Sequence, residues 1–153
     1  MESENLSYLL SGLKDFLADA GFSSTITQVE GIDSLINVMA TVGITGEKVG
    51  FLTISMNLDN AVTVSKFFAE LMEIPIESNE FSNAHLEALA ELSNQTAGRI
   101  VMFMEDNQIN CSITPPTVMS GGDISINLSS LKLTNFYKVE GLYGFFFITI
   151  GIK

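Results

Sequence analysis

Apolar residues recur at helical spacing in three stretches of the chain, which is typical of helices that pack on one side. These stretches are residues 5–20, 59–72 and 83–104. The first has Ser3 or Asn5 as its cap and ends at Gly21, and the second ends ahead of Pro75. The apolar stripe of the third, which is predicted to face the core, consists of Leu86, Leu89, Ala90, Ala97, Ile100, Val101 and Met104.

Runs rich in β-branched and aromatic residues predict the strands. A short extended stretch is expected at residues 24–30, and strands are expected at 34–45, 47–57, 108–114, 123–130, 131–140 and 143–152. Pro115 and Pro116 are expected to stop the strand before them, with a loop at residues 120–123. The last strand has apolar residues at consecutive positions, so both of its faces should be covered.

Two segments of the chain resemble each other. Residues 49–55 read VGFLTIS and residues 143–149 read YGFFFIT, and each closes a block in which a helix precedes strands. Two related halves that share one sheet are therefore predicted. The resulting fold class is α+β, with helices packed on a mixed or antiparallel sheet, in a single domain that spans residues 1–153.

A polar ridge borders the apolar stripe of the third helix. At about 100° per residue, Glu87, Glu91, Asn94 and Gly98 share this ridge, and Glu91 and Asn94 can engage one target together. A carboxylate pairs with a cation, whereas a carboxamide both donates and accepts without titrating near neutrality, so the pair suits positioning better than proton transfer. Gly98 costs about 1 kcal/mol in a helix interior, which suggests close approach by another surface. The alternative is a solvated helix flank, because the same spacing also occurs at the amino terminus.

Composition narrows the classes of partner. A net charge of −11 with seven basic residues argues against nucleic acid and anionic membrane, since both require clustered Lys and Arg. No apolar run is long enough to span a bilayer, and the acidic first residues lack the basic start of a signal peptide, so a cytoplasmic protein is expected. The apolar fraction of 46% predicts a homodimer, formed through extended segments of the second half. The strand-rich region of residues 123–153 ends in a continuous apolar strand, and an uncovered strand edge there would pair with another copy.

The remaining reactive side chains give weaker signals. His85 is the only histidine, and its helical angle places it away from both the apolar stripe and the Glu91 ridge, which disfavours a metal site or a catalytic triad. The single Cys111 lies in an extended apolar run and is expected to be a buried, inert thiol. The glycines around Lys48 do not form a nucleotide-binding loop, because no Ser or Thr follows this lysine.

Two motifs carry a resemblance to a known family: E-L-S-N-Q-T-A-G at residues 91–98 and I-T-P-P-T-V-M-S-G at residues 113–121. Together they resemble the CheX group of the CheC/CheX/FliY chemotaxis phosphatases. The likeness extends to residues 40–46 and 50–56, which look like the paired strands of that family. Thr96 departs from the pattern, since an apolar residue is expected there, and this departure bears on packing more than on chemistry.

The resemblance implies hydrolysis of the aspartyl phosphate on a CheY-like receiver. In such a mechanism the helix docks on the phosphorylated receiver, Asn94 orients the attacking water, and Glu91 pairs with the receiver's active-site Lys. The resemblance also implies that Mg²⁺ lies in the receiver's acidic pocket, with no cofactor or metal bound by this chain. Two alternatives stay open: a binding module of the same fold that docks on a receiver or flagellar-switch component without hydrolysis, and a purely structural dimeric domain.

Overall fold

The computed structural model describes residues 4–22, 25–126, 131 and 133–153, with side chains described from Leu10 onward in the first helix. Within these residues three helices pack on a seven-stranded sheet. The helices are α1 (Glu4–Asp19), α2 (Leu58–Leu71) and α3 (Asn83–Asp106). The strands are β1 (Thr25–Val29), β2 (Val38–Gly46), β3 (Gly50–Met56), β4 (Cys111–Ile113), β5 (Thr117–Ser120), β6 (Leu133–Gly141) and β7 (Gly144–Ile152). None of the helices in the described ranges is long and apolar enough to cross a membrane.

The strand order shows how two halves of the chain share the sheet. The order is β1-β6-β7-β3-β2-β4, with β5 also paired to β2, and each pair is antiparallel. The β2–β3 hairpin and the β6–β7 hairpin meet at the centre, where β3 pairs with β7. Each half also lends strands to the hairpin of the other half, because β1 pairs with β6 while β4 and β5 pair with β2. The predicted α+β fold with two related halves is confirmed, and its sheet is antiparallel.

The helices cover one face of the sheet and loops cover part of the other. Ile54 and Ile148 lie opposite each other on the central strands and are fully buried in the core beneath the helices. A buried side chain of this size contributes about 1.5–3 kcal/mol. On the opposite face a smaller cluster joins Ile36, Met39 and Phe147. Strand β7 is therefore covered on both faces, as its consecutive apolar residues predicted.

Some predicted strands differ from the structure in extent. Residues 117–120 form β5, which the sequence did not predict because the two prolines before it were expected to end the strand. Pairing of Thr41 with Thr117 explains the difference, since β5 begins just beyond Pro116 and needs no hydrogen bond from a proline. Residues 123–126 are not a strand, contrary to prediction, and the rest of that predicted strand, 127–130, lies outside the described residues. The proposed caps of α1, Ser3 and the side chain of Asn5, also lie outside them.

His85 is fully buried, which corrects the expectation that it points away from the core. Its Nδ1 accepts a hydrogen bond from the Ser82 backbone N–H at 3.0 Å, and its ring stacks on Phe81 with 5.6 Å between centroids. The helical angle of a first-turn residue takes no account of the preceding loop, which here folds against the ring. Cys111 is only half-buried, contrary to prediction, and its Sγ lies 3.4 Å from the backbone nitrogen of Lys48.

Candidate functional site

Helix α3 begins at the Ser82 cap and its pairing with His85, and it buries a wider arc than its apolar stripe predicted. The arc is wider because α3 contacts α1, α2 and the sheet. Its buried residues are His85, Ala88, Leu89, Leu92, Ser93, Thr96, Ala97, Ile100 and Met104. Leu86, Ala90 and Val101 are only partly buried. The hydroxyl of Thr96 donates to the Leu92 carbonyl at 2.6 Å, so this residue satisfies its polar group within the helix and acts in packing.

One flank of α3 is fixed against α1 by charge. The Arg99 guanidinium contacts Asp15 and Asp19, with 2.8 Å between Nη1 and the Asp19 carboxylate. The two aspartates stand four residues apart on α1, so one arginine can contact both carboxylates and reduce the repulsion between them. The ion pair joins α1 to this flank of α3, while the buried side chains of α3 fix which residues its other flank presents.

The other flank of α3 borders an open groove, the Asn94 groove, with a volume of about 480 Å³. Its lining residues are Glu87, Ala90, Glu91, Asn94, Ile113, Thr114, Pro115 and Pro116. The wall opposite α3 is held in place by β2, because the backbone N–H of Thr114 donates to the Gly43 carbonyl at 2.9 Å. Gly43 is required there, since a Cβ at this position would lie 2.8 Å from the Thr114 hydroxyl. Both motifs singled out in the sequence thus face one groove.

The carboxylate and the carboxamide in this groove differ in what they already bind. Oε1 of Glu91 accepts a hydrogen bond from Gln95 Nε2 at 2.9 Å, one turn further along the helix. The half-exposed Asn94 carboxamide makes no hydrogen bond to any residue in the described part of the chain. It therefore offers one acceptor and two donor positions to a molecule that enters the groove. Gln95 was not singled out from the sequence, although its four-residue spacing from Glu91 is a signal that could have found it.

Gly98 extends the open surface beyond Asn94. A Cβ added at Gly98 would meet nothing within 4 Å, so packing inside the chain does not require glycine there. The close approach predicted for this position has no counterpart within the described residues. The approach of another surface to Gly98 stays a prediction.

The acidic side chains near the groove do not form a metal-binding cluster. Across the described ranges, no three His, Cys, Asp or Glu side chains stand close enough together to hold an ion. The absence of a cofactor site in this chain stays a prediction. Electrostatically, the groove is lined by Glu87 and Glu91 and by no basic residue, so it favours a cationic group.

Residues 38–137 match the family model described as chemotaxis phosphatase CheX, and this stretch includes both walls of the Asn94 groove. The chain belongs to the CheX family of chemotaxis phosphatases. It is 37% identical over 106 residues to the CheY-P phosphatase CheX of Thermotoga maritima, an alignment that covers 69% of this chain and 64% of that relative. The family predicted from the two motifs is confirmed.

Solved structures share the CheX fold. A CheC-like protein from Shewanella oneidensis aligns over 100% of both chains with a TM-score of 0.80 and 14% identity. CheX from Vibrio vulnificus aligns over 100% of this chain and 99% of its own with a TM-score of 0.75 and 15% identity. CheX from Borrelia burgdorferi, in a CheX-CheY-BeF₃-Mg²⁺ complex, aligns over 97% of both chains with a TM-score of 0.75 and 20% identity. At these identities the three structures establish the fold.

Proposed function

We propose that this chain hydrolyses the aspartyl phosphate of a CheY-like response regulator in chemotaxis signalling. In this proposal Asn94 orients the attacking water and Glu91 docks on the receiver's active-site Lys. The observation that carries it is the Asn94 groove, in which an unengaged carboxamide stands one turn from a carboxylate on the exposed flank of a CheX-family helix. Support also comes from the relative that is named a CheY-P phosphatase.

In the proposed reaction this chain forms no covalent bond to the phosphoryl group. Water attacks phosphorus in line with the bond to the receiver's aspartyl oxygen; that bond breaks, the aspartate carboxylate is restored and inorganic phosphate leaves. Oδ1 of Asn94 accepts a hydrogen bond from the water, while its Nδ2 donates to a phosphoryl oxygen. Because the Asn94 carboxamide does not titrate near neutrality, it acts by holding the water in position and by its fixed dipole.

Mg²⁺ belongs to the receiver in this proposal. The metal would be held in the receiver's acidic pocket, where it neutralises charge on the phosphoryl oxygens. Calorimetric titration of the isolated chain with Mg²⁺ is expected to show no specific site. A tight stoichiometric site in this chain would contradict that assignment.

The test is to incubate the chain with each CheY-like receiver of the same genome, phosphorylated by a small phosphodonor, and to follow loss of the aspartyl phosphate. We expect at least one receiver to lose its phosphate about tenfold faster or more than on its own. Binding of a phosphorylated receiver with an unchanged phosphate lifetime would support the binding-module alternative. Absence of both binding and hydrolysis would contradict the proposed function.

We also propose that the active form is a homodimer in the cytoplasm, built from a single domain over residues 1–153. The strands of residues 133–152 do not supply the uncovered edge that the sequence predicts, because β6 and β7 are each paired on both sides. Strands β4 and β5 of the second half lie at one edge of the sheet instead, and Met119 of β5 is half-exposed there, 51% of its surface being open to solvent. An uncovered strand edge with apolar side chains pairs readily with another copy. Sedimentation at low micromolar concentration is expected to give a dimer mass, and a monomer mass would contradict the assignment.

A further inference from the structure

A second groove, the Ile74 groove, adjoins the Asn94 groove on the side of the α3 amino terminus. It lies between the end of α2, the connection to α3 and the first turns of α3, and it has a volume of about 730 Å³. The apolar side chains that line it are Ala69, Met72, Ile74, Pro75, Ile76, Ala84 and Ala88. Glu87 and Glu91 line both grooves, so the two form one continuous surface divided by a ridge of two carboxylates.

Ile74, just beyond the end of α2, has its side chain exposed to solvent. Glu73 adopts a left-handed backbone conformation with φ of 62°, and the backbone N–H of Ile74 donates to the Ala69 carbonyl at 2.9 Å. In helix ends of this type the residue at the position of Ile74 commonly packs back on the last turn. Here Ile74 remains 68% exposed, so the chain leaves a large apolar side chain open beside an apolar groove.

The edge of the Ile74 groove is acidic. Glu77, Glu87 and Glu91 line it, and no Lys or Arg does. Lys66, the nearby cation of α2, bonds instead to Asn79 Oδ1 at 2.5 Å and fastens the connection between the helices. The complement of this surface is an apolar side chain with Lys or Arg next to it.

One side chain connects the two grooves. Gln95 Nε2 bonds to Glu91 Oε1 at 2.9 Å and lies 3.9 Å from the sulfur of Met72. The Gln95 amide therefore contacts both the Glu91 carboxylate, which is assigned to docking, and Met72, which lines the Ile74 groove.

We propose that the phosphorylated receiver covers both grooves at once. While Asn94 and Glu91 reach its phosphorylation site, an apolar side chain from the adjacent receiver surface, with a basic residue next to it, fills the Ile74 groove. An exposed ion pair alone contributes too little to hold such a complex, whereas burial of apolar area supplies affinity and partner choice. This inference rests on the proposed function, since it names the surface through which the same substrate docks.

Methionine methyl resonances test groove occupancy directly. The chain with ¹³C-methyl-labelled methionine is titrated with CheY-like receivers of the same genome, each activated with beryllofluoride and Mg²⁺. We expect the Met72 resonance to shift or broaden with the receiver that binds. Met102 is the internal control, because it is 59% exposed on α3 and lines neither groove. A bound receiver that leaves Met72 unchanged would overturn the inference.

Substitution of Ile74 gives a functional readout. Ile74→Ser should raise both the dissociation constant for the activated receiver and the KM for dephosphorylation about tenfold, with kcat within about twofold of wild type. Met102→Ser, an equally exposed apolar position, should change neither. Both variants should fold, because the side chains they alter are mostly in solvent.

The outcomes separate this inference from the proposed function. Hydrolysis by the wild type with unchanged KM and binding in Ile74→Ser would leave the phosphatase assignment standing and overturn the Ile74 groove. Binding that depends on Ile74 without hydrolysis would support the groove and contradict the phosphatase assignment. If no receiver binds, both are wrong.

Discussion

Two pairs of acidic residues, each spaced four apart on a helix, have opposite fates in this fold. Asp15 and Asp19 on α1 are both contacted by Arg99 of α3. Glu87 and Glu91 on α3 line the Asn94 groove, and no cation among the described residues pairs with them. Like charges at this spacing destabilise a helix by about 0.2–0.5 kcal/mol, so the α3 pair carries a small cost that the α1 pair avoids. The same spacing therefore serves packing on one helix and leaves a cation-attracting surface on the other.

The largest expected effect comes from reversing a charge in the open pair, Glu87 and Glu91, which has no cation partner among the described residues. Glu91→Lys should weaken association with the phosphorylated receiver by about 2–5 kcal/mol if the contact with the receiver Lys is desolvated, because two like charges would meet. Glu91→Gln should do less. Raising salt should weaken wild-type binding more than binding of the Gln variant, since the screened attraction is already absent there.

The measurement for Glu91 is the dissociation constant for the beryllofluoride-activated receiver at several salt concentrations. Asp15→Asn is the matched control in the closed pair, Asp15 and Asp19, which Arg99 contacts, and it should leave the dissociation constant unchanged. Wild-type affinity and salt dependence in Glu91→Lys would show that Glu91 is a solvated helix flank, as the alternative interpretation of the sequence has it.

Asn94→Ala should lower the rate of receiver dephosphorylation by about 10²-fold or more, equivalent to about 2.7 kcal/mol of barrier or more. Affinity for the activated receiver should remain close to wild type, because Asn94 acts on the water after docking. Asn83→Ala, an exposed asparagine at the start of the same helix, is the control and should keep normal kcat. A folded Asn94→Ala variant with near-normal activity would remove this residue from the mechanism.

Local periodicity was sufficient for part of this site. The shared ridge of Glu91 and Asn94 follows from helical spacing, and the two motifs identify the family. The buried state of His85 could not be found in that way, because it depends on a loop that a helical angle does not describe. The contact of Arg99 with Asp15 joins residues 84 positions apart. Strand β5 likewise depends on pairing with the distant β2, and the Ile74 groove depends on how the connection between α2 and α3 folds against both helices.

His85 should make the start of α3 sensitive to acid. Burial lowers the pKa of His85 below its ordinary value of 6.5 and the charge of Lys66 lowers it further, although the backbone of Ser78 acts in the opposite direction. The unfolded chain therefore binds this proton more readily than the folded one. Stability should be lost as pH falls through about 6.5 and should go on falling until the lower folded-state pKa is passed.

Protonation of His85 should lower the stability of the folded chain, because protonated Nδ1 can no longer accept from the Ser82 N–H that pairs with it at the start of the helix. Thermal unfolding between pH 7 and pH 5 measures it. His85→Gln keeps an acceptor that does not titrate, so its melting temperature should depend less on pH in this range. An identical pH dependence in wild type and variant would contradict the assignment.

The smallest expected effect comes from removing the cation of the closed pair. Arg99→Ala leaves Asp15 and Asp19 without Arg99, so this flank of α3 then resembles the flank that carries Glu87 and Glu91. Because all three side chains are partly exposed, the loss should be about 0.5–1 kcal/mol, or about 2 °C in Tm, and should shrink as salt rises. Arg99→Lys should recover only part of the lost stability, since a lysine lacks the planar fork that reaches two carboxylates.

Removing a charge from the open pair with Glu87→Gln should instead raise stability by a few tenths of a kcal/mol. Thermal unfolding at low and high salt, with kcat measured beside it, checks both variants. Equal shifts of the same sign in the two variants would mean that the acidic pairs do not differ, and the contrast between the flanks of α3 would then be wrong.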